Sequence, residues 1–364
     1  MKTESTKVSR HVIAFMLFLL APLLSQAQTS SSFYQPGVTT EGAVYFLPKT
    51  AVRVTVQVEK TTYTPGDFCK YAERFLRIKG VSPTPSVSYR ITTIRQEAIA
   101  VADTAKRYAV EFNAKTSASN VNLSDDGILL SINAEPEKRP TTKPFVAAPR
   151  PAAVNPRQYM SEDILAAGST AKMAELTAQD IYEIRESRNL LVRGQADNMP
   201  KDGEQLRLML NQLDMQDRAM TSLFTGTTTK DTTEHVLNVV PDREVNHELL
   251  FRFSAKLGLV ADDDLAGVPY YISIEDLKTV PAAEPTEPKK KQKEVPGIYV
   301  NVPGKMRVSV SDATKTLLST EFAAGQFGNV ELLSGALFNK RYTTHLWLHP
   351  LSGAVEKLDA EQPK

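Results

Sequence analysis

Among 364 residues there is one cysteine, Cys69, so no disulfide within the chain is possible. Paired-thiol redox chemistry and cysteine-based zinc sites are excluded with it. After Leu24 no apolar run approaches the roughly 20 residues that a membrane-spanning helix needs. The motifs of specific catalysis are missing as well: there is no Gly-x-Ser-x-Gly elbow, no phosphate-binding loop and no His-Glu-x-x-His. The charge is close to balanced, +1 overall, which gives nucleic-acid binding no global electrostatic support.

What is present begins with a leader. Lys2, Lys7 and Arg10 precede an apolar run of 13 residues, Val12 to Leu24, and Ser25-Gln26-Ala27 follows as an A-x-A-like cleavage site. Residues 1–27 therefore read as a secretory signal peptide, and the exported chain is expected to start near Gln28. Loss of the leader removes three Lys/Arg and Glu4, moving the formal charge from +1 to −1. With no cysteine at the end of the run, lipid attachment there is not expected.

The body of the sequence is organised around Ala171 to Phe224, the longest run of helical period. Ala178, Ile181, Ile184 and Leu191 recur at three- and four-residue steps, and Leu206, Leu210, Leu213, Met220 and Phe224 resume the pattern. Gly194 is placed to close the first helix in a left-handed conformation, and Asp202, after Pro200, to cap the second. The segment 161–226 is thus expected to be a helical hairpin.

On both sides the period is two. Val52, Val54, Val56 and Val58 alternate with polar residues as in a half-buried strand. Pro65-Gly66 then turns the chain into a short helix carrying Cys69 on its flank, beside Phe68, Tyr71 and Ala72. Runs around Tyr89 and Val110 follow, and Asp125-Asp126-Gly127 is a hairpin turn. Residues 41–134 are expected to be a small α+β domain. Six prolines between Glu135 and Pro156 mark a connector over 135–160, either free or laid along a domain surface. Residues 227–360 show further short strands, with Pro303-Gly304 read as a turn between two of them and 279–296 as a mobile lysine-containing loop. The fold class expected is α+β and β-rich: two antiparallel-sheet domains, the C-terminal one sandwich-like, joined through the central hairpin.

Candidate chemistry is sparse. His345 and His349 stand four apart, but on a strand they lie about 13 Å from each other, too far to share an ion. His345, Trp347 and His349 would share one sheet face, and Trp347 is a candidate for stacking a sugar or aromatic ligand. Asp262-Asp263-Asp264 and Asp125-Asp126 cluster carboxylates where turn propensity already explains them. The hairpin carries the most distinctive polar set: Arg185, Arg188, Asp197, Asn198 and Asp202. Arg188 falls on the apolar stripe and needs a partner. An internal carboxylate is the first expectation; an external carboxylate, phosphate or protein is the alternative.

The strings Ile181-Tyr182-Glu183-Ile184-Arg185-Glu186-Ser187-Arg188, Asp197-Asn198-Met199-Pro200-Lys201-Asp202-Gly203, Phe251-Arg252-Phe253-Ser254 and Gly258-Leu259-Val260 give the sequence its resemblance to an exported Bacteroidota family, domain of unknown function 4831. The resemblance runs from about Tyr45 to Leu358. It implies a periplasmic or outer-envelope location and supplies no activity, cofactor or catalytic residue. The expectation is therefore a non-catalytic cell-envelope protein acting in assembly, scaffolding or binding, with an envelope protein or a glycan as partner. No cofactor, metal or nucleic acid is expected. A carbohydrate- or peptide-binding module built on Trp347 and a hydrolase using Asp262 to Asp264 are the alternatives.

Overall fold

The computed structural model describes residues 42–111, 120–139, 144–149, 154–281, 297–338 and 343–361. The expected leader, 1–27, and nearly all of the expected lysine-containing loop lie outside these residues. Three antiparallel sheets dominate: about 48% of the described residues are strand against 23% helix, so the β-rich class holds.

The first sheet has the order β2-β1-β5, formed by β1 (Gly42–Thr64), β2 (Ser86–Glu111) and β5 (Thr227–Val239). The second contains β6 (Val245–Ser254), β7 (Gly258–Val260), β8 (Val268–Asp276), β9 (Gly297–Ser311) and β10 (Thr316–Ser334) in the order β10-β9-β8-β6-β7. The third, ordered β12-β11-β4-β3, joins β3 (Val121–Leu123) and β4 (Leu129–Ile132) to β11 (Thr343–Leu348) and β12 (Val355–Glu361).

The alternation in β1 does what its period demands. Val52, Val54, Val56 and Val58 are all buried, packed against Phe251, Ile272, Ile274, Met306, Val308 and Val310 of the second sheet. Each such valine contributes roughly 1.5–3 kcal/mol by leaving water. The same strand serves a second core nearer its start, where Tyr45 and Leu47 meet Leu129, Ile132, Ile298, Val300, Leu346 and Leu348. β9 repeats the arrangement, giving Ile298 and Val300 to one core and Met306 to Val310 to the other.

Between the two cores lies a buried polar junction. Thr50 and Gln326 bond reciprocally, Thr50 N–H to Gln326 Oε1 at 2.9 Å and Gln326 Nε2 to Thr50 O at 2.8 Å. Asn301 Nδ2 donates to the carbonyls of Pro48 and Ser352, both at 2.9 Å. These side chains satisfy backbone groups of Pro48 and Thr50, which lie before the pairing of β1 with β5 begins at Val52, and of Ser352.

This junction overturns the reading of Pro303-Gly304 as a turn. β9 continues through these two residues, and the register jumps from Val302↔Asn329 to Gly304↔Ala324, leaving extra residues of β10 in a bulge. Proline has no N–H to give a ladder, so it sits where pairing is already broken. Gly304 is required by proximity: a Cβ there would lie 2.1 Å from Phe327 O.

Two further expectations change. The runs around Tyr89 and Val110 are one strand, β2, paired to β1 over nearly its whole length. Separate domains over 41–134 and 227–360 are not what the sheets build, because β5 pairs along β1 from Val52↔Val239 to Thr64↔Thr227 and β11 pairs with β4. The helical segment is inserted between strands that share sheets, and the described residues form one compact unit.

The hairpin itself is as expected. Helix α1 (Ala72–Leu76) and its preceding turn, α2 (Glu162–Leu165), α3 (Thr170–Arg193) and α4 (Gly203–Thr225) build a third core from Phe68, Ala72, Ile164, Ala178, Ile181, Met220 and Phe224. Cys69 is half-buried and unpaired on the flank of this core. The start of the connector lies along the third sheet, with Arg139 reaching Glu356 at 2.7 Å.

Candidate functional site

Capping explains why two long helices form here. The Ser169 hydroxyl accepts the Lys172 amide, Gly194 closes α3 at φ 71°, and the Asp202 carboxylate accepts the Glu204 amide at the start of α4. The buried positions of both helices lie mostly at their base: Ala174, Ala178 and Ile181 on α3, Ala219, Met220, Leu223 and Phe224 on α4. Toward the tip only Leu191 is buried, while Val192, Leu208 and Met209 are exposed, as is Met199 in the connecting loop.

Two ion pairs clamp the middle of the hairpin. Arg185 Nε reaches both Asp217 oxygens at 3.1 and 3.2 Å, and its guanidinium also donates to Thr221 Oγ1. Arg188 Nε donates to Asp214 Oδ1 at 2.6 Å. The internal-carboxylate expectation for Arg188 is therefore the observed one. The Arg188 and Asp214 side chains keep 41% and 30% of their exposure, so this pair is wet and worth at most about 1 kcal/mol.

Beyond the clamps both helices line an open groove of about 490 Å³. Ser187, Leu190 and Leu191 line it from α3, Met209, Gln212, Leu213 and Gln216 from α4, and Asp197 and Asn198 close its end. Each helix thus presents a row at i, i+3, i+4 spacing to the same space, the arrangement that receives a third helix. A hollow of similar size, about 470 Å³, lies on the other flank of α4 near Asn211, Asp214, Met215 and Arg218.

The six candidate residues are not one site. Asp197 and Asn198 line the groove, Arg185 and Arg188 are spent on the clamps, and Asp202 is spent on its cap. Trp347 lies on the third sheet, away from the hairpin. Its indole N–H donates to Glu135 O at 3.0 Å, and Lys357 Nζ sits 4.7 Å from the ring centroid. His345 Nδ1 donates to Asn133 O beside it. The cavity next to Trp347 is about 100 Å³. Burial, and secondarily Arg139, lower the pKa of His349 on the same flank.

Of the aspartates of the hydrolase alternative, Asp264 uses its carboxylate structurally, Oδ1 accepting the Ala266 amide at 2.8 Å, while Arg252 Nε donates to the backbone carbonyl of Asp262 at 2.7 Å. Among the described residues no group of three His, Cys, Asp or Glu is placed to hold a metal ion.

Sequence reasoning missed the groove residues and the partners of the clamps. The signal for the clamps was readable: Arg185 and Arg188 stand three apart, as do Asp214 and Asp217, and antiparallel helices bring such pairs face to face. A family model described as a domain of unknown function (DUF4831) matches residues 41–356. No curated protein and no solved structure matches the chain.

Proposed function

The chain belongs to the DUF4831 family, whose description assigns no activity, and from that premise we propose a non-catalytic exported protein of the cell envelope. It acts in assembly or scaffolding by holding an amphipathic helix of another envelope protein in the groove at the hairpin tip. The observation that carries this reading is the pair of i, i+3, i+4 rows facing one largely apolar groove, with exposed Met209 in its lining. Soluble proteins leave such surfaces uncovered where something binds. The leader supports export, and no described helix is long and apolar enough to cross a membrane.

The carbohydrate alternative is less favoured because the polar edge of Trp347 is already bonded to Glu135. The test is capture from native envelopes with the unaltered chain and with Leu213→Asp. A stoichiometric envelope protein that is lost on Leu213→Asp, and whose cross-linked segment binds the purified chain as a helical peptide, supports the reading. Capture indifferent to Leu213, or a bound glycan, defeats it. N-terminal sequencing of the exported chain should give a start near Gln28, released without detergent; a start at Met1 with membrane retention shows the leader to be an anchor.

A further inference from the structure

Strand β12 is the edge of the third sheet, bonded to β11 on one side and, among the described residues, to no strand on the other. All seven of its residues are exposed. Leu358 is paired with the fully buried Leu346, so it shares that residue's face of the sheet, yet it keeps 44% of its exposure. An edge with free backbone groups and an uncovered apolar side chain is a template for another strand.

We propose that β12 pairs antiparallel with β12 of a second copy of this chain, about a two-fold axis at Leu358, joining the two four-stranded sheets into one. The charge pattern of Val355-Glu356-Lys357-Leu358-Asp359-Ala360-Glu361 selects this register. A two-fold axis normal to the sheet keeps each side chain on its own face, so it passes at a residue and not between two. An axis at Glu356, Lys357 or Asp359 sets that charge against its own copy. At Ala360 it sets Asp359 against Glu361. At Leu358 no like charges are opposed: Lys357 faces Asp359 of the second copy, twice over, and Leu358 meets Leu358, while Val355 lies beyond the register shift between Trp347 and Leu348 and stays outside the regular pairing. Glu356, opposite Ala360, is neutralised within its own chain by Arg139. The pairing stands apart from the hairpin groove and does not depend on it.

A seven-residue strand pair lies at the small end of specific interfaces, below about 1,200 Å², so association is read over a concentration series by sedimentation of the purified chain. The unaltered chain should show a reversible monomer–dimer equilibrium. Lys357→Glu and Asp359→Lys should each weaken it by about tenfold or more, since each change opposes like charges at two symmetry-related places. The combined variant should return to within about threefold of the original. Should a reversal unfold the chain, trapping decides: in a Cys69→Ser background Leu358→Cys should form an intermolecular disulfide, because residues on the axis face themselves at about 4.5–5.5 Å between Cα atoms. Ala360→Cys, about 13 Å from its own mate, should not. A monomer at every concentration, single reversals without effect, a combined variant that stays weak, or equal trapping at both positions would each overturn the proposal.

Discussion

The phenol of Tyr45 takes the place of a strand against Tyr299: its oxygen accepts the Tyr299 amide at 2.8 Å and donates to the Tyr299 carbonyl at 3.0 Å. Both backbone groups of one residue of β9 are thereby satisfied by one side chain of β1. The ring is fully buried, and burial above all raises the phenol pKa, so Tyr45 stays a donor across the accessible pH range.

Tyr45→Phe keeps the packing and removes the oxygen, leaving the Tyr299 amide and carbonyl without that partner. Unfolding free energy from urea titration should fall by about 1–3 kcal/mol, the cost of stranding partly buried backbone groups. A change below about 0.5 kcal/mol would mean that water replaces the phenol without loss.

Gly304 tests the crossing between the two cores. An added methyl would meet Phe327 O at 2.1 Å, and backbone oxygen cannot step aside as a side chain does. Gly304→Ala should therefore cost about 1–3 kcal/mol or more by overpacking, while Gly168→Ala, with nothing nearby, should be close to neutral. Equal melting temperatures for the two variants would remove the close-approach argument.

Val52 to Val58 declared a strand, and Gly194 and Asp202 the ends of two helices, because period and capping are local properties. Pro303-Gly304 misled for the same reason: locally it is turn chemistry, and only the bulge of β10 opposite it, set by tertiary pairing, makes it a bend within one strand. The pairing of Val52 with Val239 spans the whole hairpin insertion and leaves no mark in either segment, so the shared sheet could not be read. The groove left no mark of its own because Leu190, Met209 and Leu213 look like ordinary stripe residues, and only the packing of the two helices shows that they line one open space.

His349 gives the fold an acid-side sensitivity. Its folded pKa is lowered, chiefly by burial and further by Arg139, so the unfolded chain binds its proton more readily. Stability from this group is complete above its ordinary value near 6.5 and is lost as pH falls from there toward the folded pKa. Against His349→Gln, the unaltered chain should lose relative stability between about pH 7 and pH 5. Parallel curves for the two proteins across that window would show that His349 does not couple to folding.

The last expectation concerns the hairpin clamp. A fully buried Arg–Asp pair broken on one side would cost about 3–5 kcal/mol, because the remaining charge is stranded. Arg188 and Asp214 are not in that regime: with 41% and 30% of their side-chain surfaces open, water solvates whichever partner is left. Arg188→Met should thus lower stability by no more than about 1 kcal/mol, and a double-mutant cycle with Asp214→Asn should give a coupling of the same size. Because Arg188 is spent on Asp214, outside the groove lining, capture of a helical partner should survive the substitution while Leu213→Asp abolishes it. Loss of capture by Arg188→Met with an unchanged melt would move the binding surface from the apolar groove to the arginine, and the clamp would have to be reread as a contact that opens when the partner arrives.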